Sequence, residues 1–144
     1  MKRREFITLL GGAAATWPLV ANAQPAQVPR IGVLVPFGED HPVAQARVAA
    51  FLQGLERLGW IDGRNVRIDY RWSAGDADRS RKFAAELVKF APDVILTSSS
   101  VAVAAVLQET RTIPVVFTVV IDPVGAGCVD SLARPGGNAT GFTI

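Results

Sequence analysis

Reactive side chains are scarce in this chain. Among 144 residues there is one cysteine, Cys128, and one histidine, His41. A single thiol makes no intramolecular disulfide, and no cysteine–histidine cluster of metal-ligand spacing exists. A catalytic thiol needs a base beside it, and a small buried thiol is the commoner fate of a lone cysteine. The Gly-x-Gly-x-x-Gly and P-loop patterns are both missing, so a nucleotide lacks its usual cradle. No catalytic residue, metal site or cofactor is therefore assigned, and the expectation is a protein that is not an enzyme.

Net positive charge is missing too once the first residues are set aside. Lys2-Arg3-Arg4 open an apolar, small-residue run from Phe6 to Val20 that is too short for a usual membrane span. Ala21-Asn22-Ala23 supplies a small-x-small cleavage pattern, which predicts Gln24 as the first mature residue. Arg3-Arg4-Glu5-Phe6-Ile7 is similar to the twin-arginine export motif. Residues 1–23 are read as a cleaved signal of that type and residues 24–144 as a periplasmic domain; an N-terminal membrane anchor is the alternative. The formal net charge of +2 is the leader's own, three basic residues against Glu5. The balanced remainder has no electrostatic footprint for nucleic acid or a membrane surface.

What is there alternates between strands and helices. Ile31 to Val35 is a buried strand stopped by Pro36. Val48, Phe51, Leu52, Leu55 and Leu58 recur at helical spacing, with Gly59 placed to end that helix. After the turn Asp62-Gly63, Val66, Ile68 and Tyr70 alternate with Arg67, Asp69 and Arg71, which predicts a strand at a sheet edge. Asp76 or Asp78 caps a second helix with a stripe of Phe83, Ala84, Leu87, Val88 and Ala91, ended by Pro92. Val94-Ile95-Leu96 is the central strand, and a helix with no polar face runs from Val101 to Leu107. Ile113 to Val120 is a fourth strand, with Pro114 near its start. Asp122-Pro123 predicts the start of a short helix through Val124, Cys128, Val129 and Leu132. Arg134 to Asn138 is a turn, and Ala139 to Ile144 a fifth strand. Such alternation implies an α/β fold, a doubly wound parallel sheet with helices on both faces.

Ligands of these sheets sit beyond the carboxyl ends of the strands, where the strand order reverses. The residues expected there are Pro36 to His41, Thr97 to Ser100 and Ile121 to Pro123. Ser98, Ser99 and Ser100 can cap the helix that follows them. With its free N–H groups they can also hold an anion such as a carboxylate. Three hydroxyls exceed what one cap requires.

Several runs resemble one family. They are the leader Met1 to Ala15; Gln53-Gly54-Leu55 with Leu58-Gly59-Trp60; Gly63-Arg64-Asn65-Val66; Tyr70-Arg71-Trp72; Ile113 to Phe117; Asp122-Pro123-Val124; and Leu132-Ala133-Arg134-Pro135-Gly136-Gly137-Asn138-Ala139-Thr140-Gly141. The family is the ABC-transporter substrate-binding proteins of the tryptophan/tyrosine-uptake type, and the resemblance spans essentially the whole chain. It implies the first lobe of a two-lobed, type I-like periplasmic binding protein whose second lobe is absent. The function it implies is to close on a small molecule, such as an aromatic amino acid, and present it to an inner-membrane permease. Carried onto this sequence, Ser98, Ser99 and Ser100 receive the ligand carboxylate and Asp122 its α-amino group. Phe37 packs against its aromatic side chain. Asp122 as a helix cap and Phe37 as a filler of the lobe's own surface remain open alternatives. The uncovered inter-lobe face favours self-association. An exported α/β enzyme and a single-lobe sensor or assembly domain are the competing readings.

Overall fold

The computed structural model describes residues 27–144, so the leader and its cleavage site lie outside the described residues. Five parallel strands carry the lobe: β1 (Arg30–Val35), β2 (Arg67–Trp72), β3 (Val94–Ser98), β4 (Val115–Val120) and β5 (Ala139–Thr143). Their spatial order is β2-β1-β3-β4-β5, so the direction of winding reverses between β1 and β3. Three helices make the crossovers: α1 (Pro42–Arg57), α2 (Ala77–Lys89) and α3 (Ser100–Glu109).

The two sheet faces are built differently. Leu34, Ile95, Val115 and Phe117 point to one side and pack with Ala84 and Leu87 of α2 and Val103 and Val106 of α3. Val33, Val35 and Ile68 point to the other and pack with Ala44, Val48, Phe51 and Leu55 of α1. Burial on both faces is what gives these strands their apolar runs. The exception is β2, which lies at the edge as its alternating pattern requires. Asp69 pairs with Arg30 at 3.0 Å and Arg71 with Glu86 at 2.9 Å, so the edge is lined by charges that have partners.

Local chemistry sets the element ends. The Asp76 carboxylate accepts from the Arg79 N–H at 2.7 Å and caps α2, while Asp78 pairs with Arg81 within the first turn. Gly59, at φ 87°, closes α1 by donating to the Glu56 carbonyl at 2.9 Å. Two stripe residues fall outside their helices. Leu58 is 76 % exposed past the end of α1, and Ala91 lies past α2 at φ 47°. Both sit where the chain reverses, beyond the last turn that packs on the sheet.

The helix expected after Asp122-Pro123 does not form. Residues 123–127 make one turn, closed by the Ala126 N–H to the Asp122 carbonyl at 2.9 Å. Gly125 and Gly127 flank Ala126, and Gly127 takes a left-handed φ of 72° that ends helical winding. Cys128 and Val129 are nevertheless buried, because the turn packs them into the core beside α3. β4 begins at Val115, and the Pro114 carbonyl accepts from the Ile95 N–H at 2.9 Å just before it.

Candidate functional site

The carboxyl ends of β1, β3 and β4 lie side by side, because Leu34 pairs with Thr97 and Ser98 with Thr118. The segment 36–41, the serine turn and the Asp122 turn therefore leave the sheet at one end, as the sequence predicts. The Thr97 hydroxyl donates to the Leu34 carbonyl at 3.0 Å and ties the ends of β1 and β3 together. On the far side of β1, Ser73 is buried, and its N–H donates to the Val35 carbonyl at 2.9 Å. The next N–H, of Ala74, reaches the Phe37 carbonyl at 3.2 Å. The loop carrying Phe37 is thus held from both neighbours.

The three serines have different positions. Ser98 is half-buried and lines a cavity of about 330 Å³ between α1 and the sheet. Ser99 is the cap of α3, its hydroxyl accepting from the Ala102 N–H at 3.4 Å. Ser100 is exposed at the first helical position. Ser99 has φ 74° and ψ 147°, a region almost confined to glycine. Val119 at φ 57° lies in the adjacent strand, where the β4–β5 register slips between Phe117 and Val120. A β-branched residue in the left-handed region is an outlier. Strain of this kind, about 1–3 kcal/mol per residue, collects at functional sites.

Phe37 stacks on its own lobe. Its ring centroid is 4.6 Å from that of His41, and the Arg47 guanidinium lies 5.5 Å above it. It also lines the cavity, so one edge packs inward while the residue stays half-exposed. Asp122 is exposed and accepts from the Gly125 N–H at 2.8 Å, which caps its own turn. That leaves its second carboxylate oxygen for other donors. Exposed apolar side chains stand at this end of the lobe: Val43, Val101, Ile121 and Val124. Sequence reasoning missed Arg47, Ser73 and Val119, and nothing local marks a valine for positive φ.

The family model for ABC transporter substrate binding protein matches residues 30–143. A tyrosine-binding protein of Clostridioides difficile is 35 % identical over 102 residues, 71 % of this chain and 30 % of its own length. Three solved structures share the fold at more than 25 % identity. A conserved domain protein from Vibrio cholerae has a TM-score of 0.75 at 34 % identity, covering 81 % of this chain and 39 % of that one. A ligand-free, open substrate-binding protein with adhesive properties from Clostridium difficile gives 0.74 at 33 %, with the same 81 % and 39 %. A domain from Streptococcus pneumoniae in complex with L-Trp gives 0.73 at 31 %, covering 80 % and 38 %. The chain spans under two-fifths of the length of the relatives it matches.

Proposed function

The chain belongs to the ABC transporter substrate-binding protein family, a family of binding proteins and not of enzymes, and from that premise we propose that it is the first lobe of a receptor for a small zwitterion. The ligand class is an aromatic amino acid, by analogy with the tyrosine-binding relative and the L-Trp complex. The receptor works in the periplasm and delivers to an inner-membrane permease.

One observation supports the reading most: the N-terminal turn of α3, with its free N–H groups, opens at the switch between β1 and β3 beside the Asp122 turn. A carboxylate there meets aligned amide dipoles. An ammonium a few ångströms away meets the free oxygen of Asp122, where a charge-assisted hydrogen bond is worth about twice a neutral one. The ring of the ligand then lies toward Phe37. Closure by hinge motion requires a second lobe, so this lobe supplies about half of the contacts and binds weakly.

The test is an amide-resonance titration of the chain with L-tryptophan or L-tyrosine at millimolar concentration. Shifts should gather at Phe37, Ser98 to Ser100 and Asp122, and Asp122→Asn should weaken them. Shifts spread elsewhere, or none at saturation of solubility, refute the site. Micromolar or tighter binding by titration calorimetry refutes the single-lobe reading instead.

A further inference from the structure

The end of the lobe opposite the ligand end carries a surface that ligand binding leaves unused. There α1 runs out at Arg57, and residues 58–66 lead back to the start of β2. The Arg67 N–H donates to the Pro29 carbonyl at 2.8 Å, so this loop lies beside the point where the chain enters β1. The loop is tightly built. The Asn65 side chain accepts from the Ile61 N–H at 2.6 Å and donates to the Gly59 carbonyl at 2.7 Å. The Asp62 carboxylate accepts from the Ile68 N–H at 3.0 Å, and the Trp60 N–H reaches the Leu55 carbonyl at 2.9 Å. This ordered frame nevertheless turns apolar side chains outward. Trp60 is 41 % exposed and Ile61 39 %, with Leu58 and, across the Pro29 contact, Val28 more so. Single exposed apolar residues mean little, but four on one rigid end mark a contact surface.

We propose that this end rests on an anionic lipid surface while the leader is held in a bilayer. Two observations choose lipid as the occupant. The first is connectivity. Val28 follows the apolar run Phe6 to Val20 by eight residues, which reach at most about 29 Å when fully extended. Whatever holds that run keeps this end of the lobe close by, at a high effective concentration. The second is charge. Arg57 and Arg64 flank the apolar side chains, both exposed and, among the described residues, with no carboxylate within ion-pair distance. Arg67 adds a third guanidinium, 3.6 Å from Asp69 and still largely in solvent. Glu56 and Asp62 are the opposing charges of the segment, and Asp62 is already engaged by the Ile68 N–H. An indole among aliphatic side chains, ringed by guanidinium groups, suits the boundary between headgroups and acyl chains. The lobe as a whole is neutral, so the surface works only while the leader tethers it. The strands run away from this end, so a tethered chain holds its ligand end about 20 Å further from the bilayer.

Fluorescence of the full chain on vesicles tests this directly. The chain has three tryptophans, Trp17 in the leader, Trp60 and Trp72. With Trp17→Phe and Trp72→Phe, Trp60 alone reports. On vesicles of phosphatidylcholine and phosphatidylglycerol with brominated acyl chains, its emission should fall about twofold or more against unbrominated vesicles, as for an indole lodged about 5–10 Å deep. Leu58→Asp with Ile61→Asp should abolish that quenching, and Arg57→Glu with Arg64→Glu should reduce it. A companion chain that keeps only Trp17 reports whether the leader has entered the same vesicles. Trp60 left unquenched while Trp17 is quenched overturns the proposal. Quenching that survives both aspartates does so too, because the leader alone then drags the indole in. A leader that stays out of the bilayer removes the tether and overturns it as well. So does a vesicle-free dimer that the aspartates dissociate, since a second copy then takes the surface. Trp72 stacks on Tyr70 at 6.1 Å; should Trp72→Phe lose the native dichroism, Trp72 stays and the quenching must vanish with Trp60→Phe instead. No amino acid is present in any arm, so these results stand or fall apart from ligand binding.

Discussion

Replacing Ser99 by glycine should stabilise this lobe, although it deletes a helix cap. Ser99 holds φ 74° and ψ 147°, where a Cβ is poorly tolerated. Relief of that conformation is worth about 1–3 kcal/mol. Two terms oppose it. Glycine adds freedom to the unfolded chain worth about 0.5–1 kcal/mol, and exchanging a hydroxyl cap for glycine costs only a few tenths of a kcal/mol. The capping contact being lost is long, 3.4 Å from the Ala102 N–H, which keeps the second term small. The balance favours Ser99→Gly by about 1 kcal/mol, or about 3–6 °C in the midpoint for a domain of this size. Ser99→Ala keeps the strain and loses the cap, so it should fall below the parent by about 0.5–2 kcal/mol. Thermal and urea melts followed by far-ultraviolet dichroism should give the order glycine, serine, alanine. A glycine variant melting at or below the parent refutes the argument, because the backbone would then be comfortable as it is.

Three further outcomes follow from packing and burial. Gly141→Ala drives a Cβ into the Phe117 carbonyl oxygen and against its ring. It should cost about 1–3 kcal/mol or more, seen as loss of hydrogen-exchange protection in β5 before the rest of the sheet. Tyr70, the sole tyrosine, has a buried hydroxyl without a hydrogen-bond partner among the described residues; burial, then the Asp62 charge, pushes its pKa up to about 12. Its ultraviolet titration should centre near pH 12 and shift to about 10 in urea. Because the folded state keeps the proton longer, its contribution to stability is complete below pH 10 and lost as pH rises toward 12; a midpoint near 10 in the native chain refutes this. Burial also pushes the Cys128 thiol up, so alkylation at pH 8 should be roughly tenfold or more slower than in urea, since the thiolate is the nucleophile.

Much of the architecture was legible because it rests on local rules. Alternation in Val66, Ile68 and Tyr70 put β2 at an edge, and Asp76 announced the start of α2 with a carboxylate that does cap it. The failures share a cause. Asp122-Pro123 is a good helix start, but Gly125 and Gly127 give nothing to propagate, so the start stays a single turn. Leu58 fits a helical stripe by spacing, yet α1 has already ended beneath it. At the ligand end, the serine turn and Asp122 could be placed from strand order. The positive φ of Val119 could not, because it arises from a register slip against a strand some twenty residues away in sequence.

The two borders of the sheet have opposite characters. β2 displays Arg67, Asp69 and Arg71, with Arg30 and Glu86 as counter-charges, whereas β5 reads Ala-Thr-Gly-Phe-Thr with no charge at all. Only one border can therefore recruit another strand. Two copies meeting there would leave a guarded border at each outer end, and growth would stop at the pair instead of continuing into a ladder.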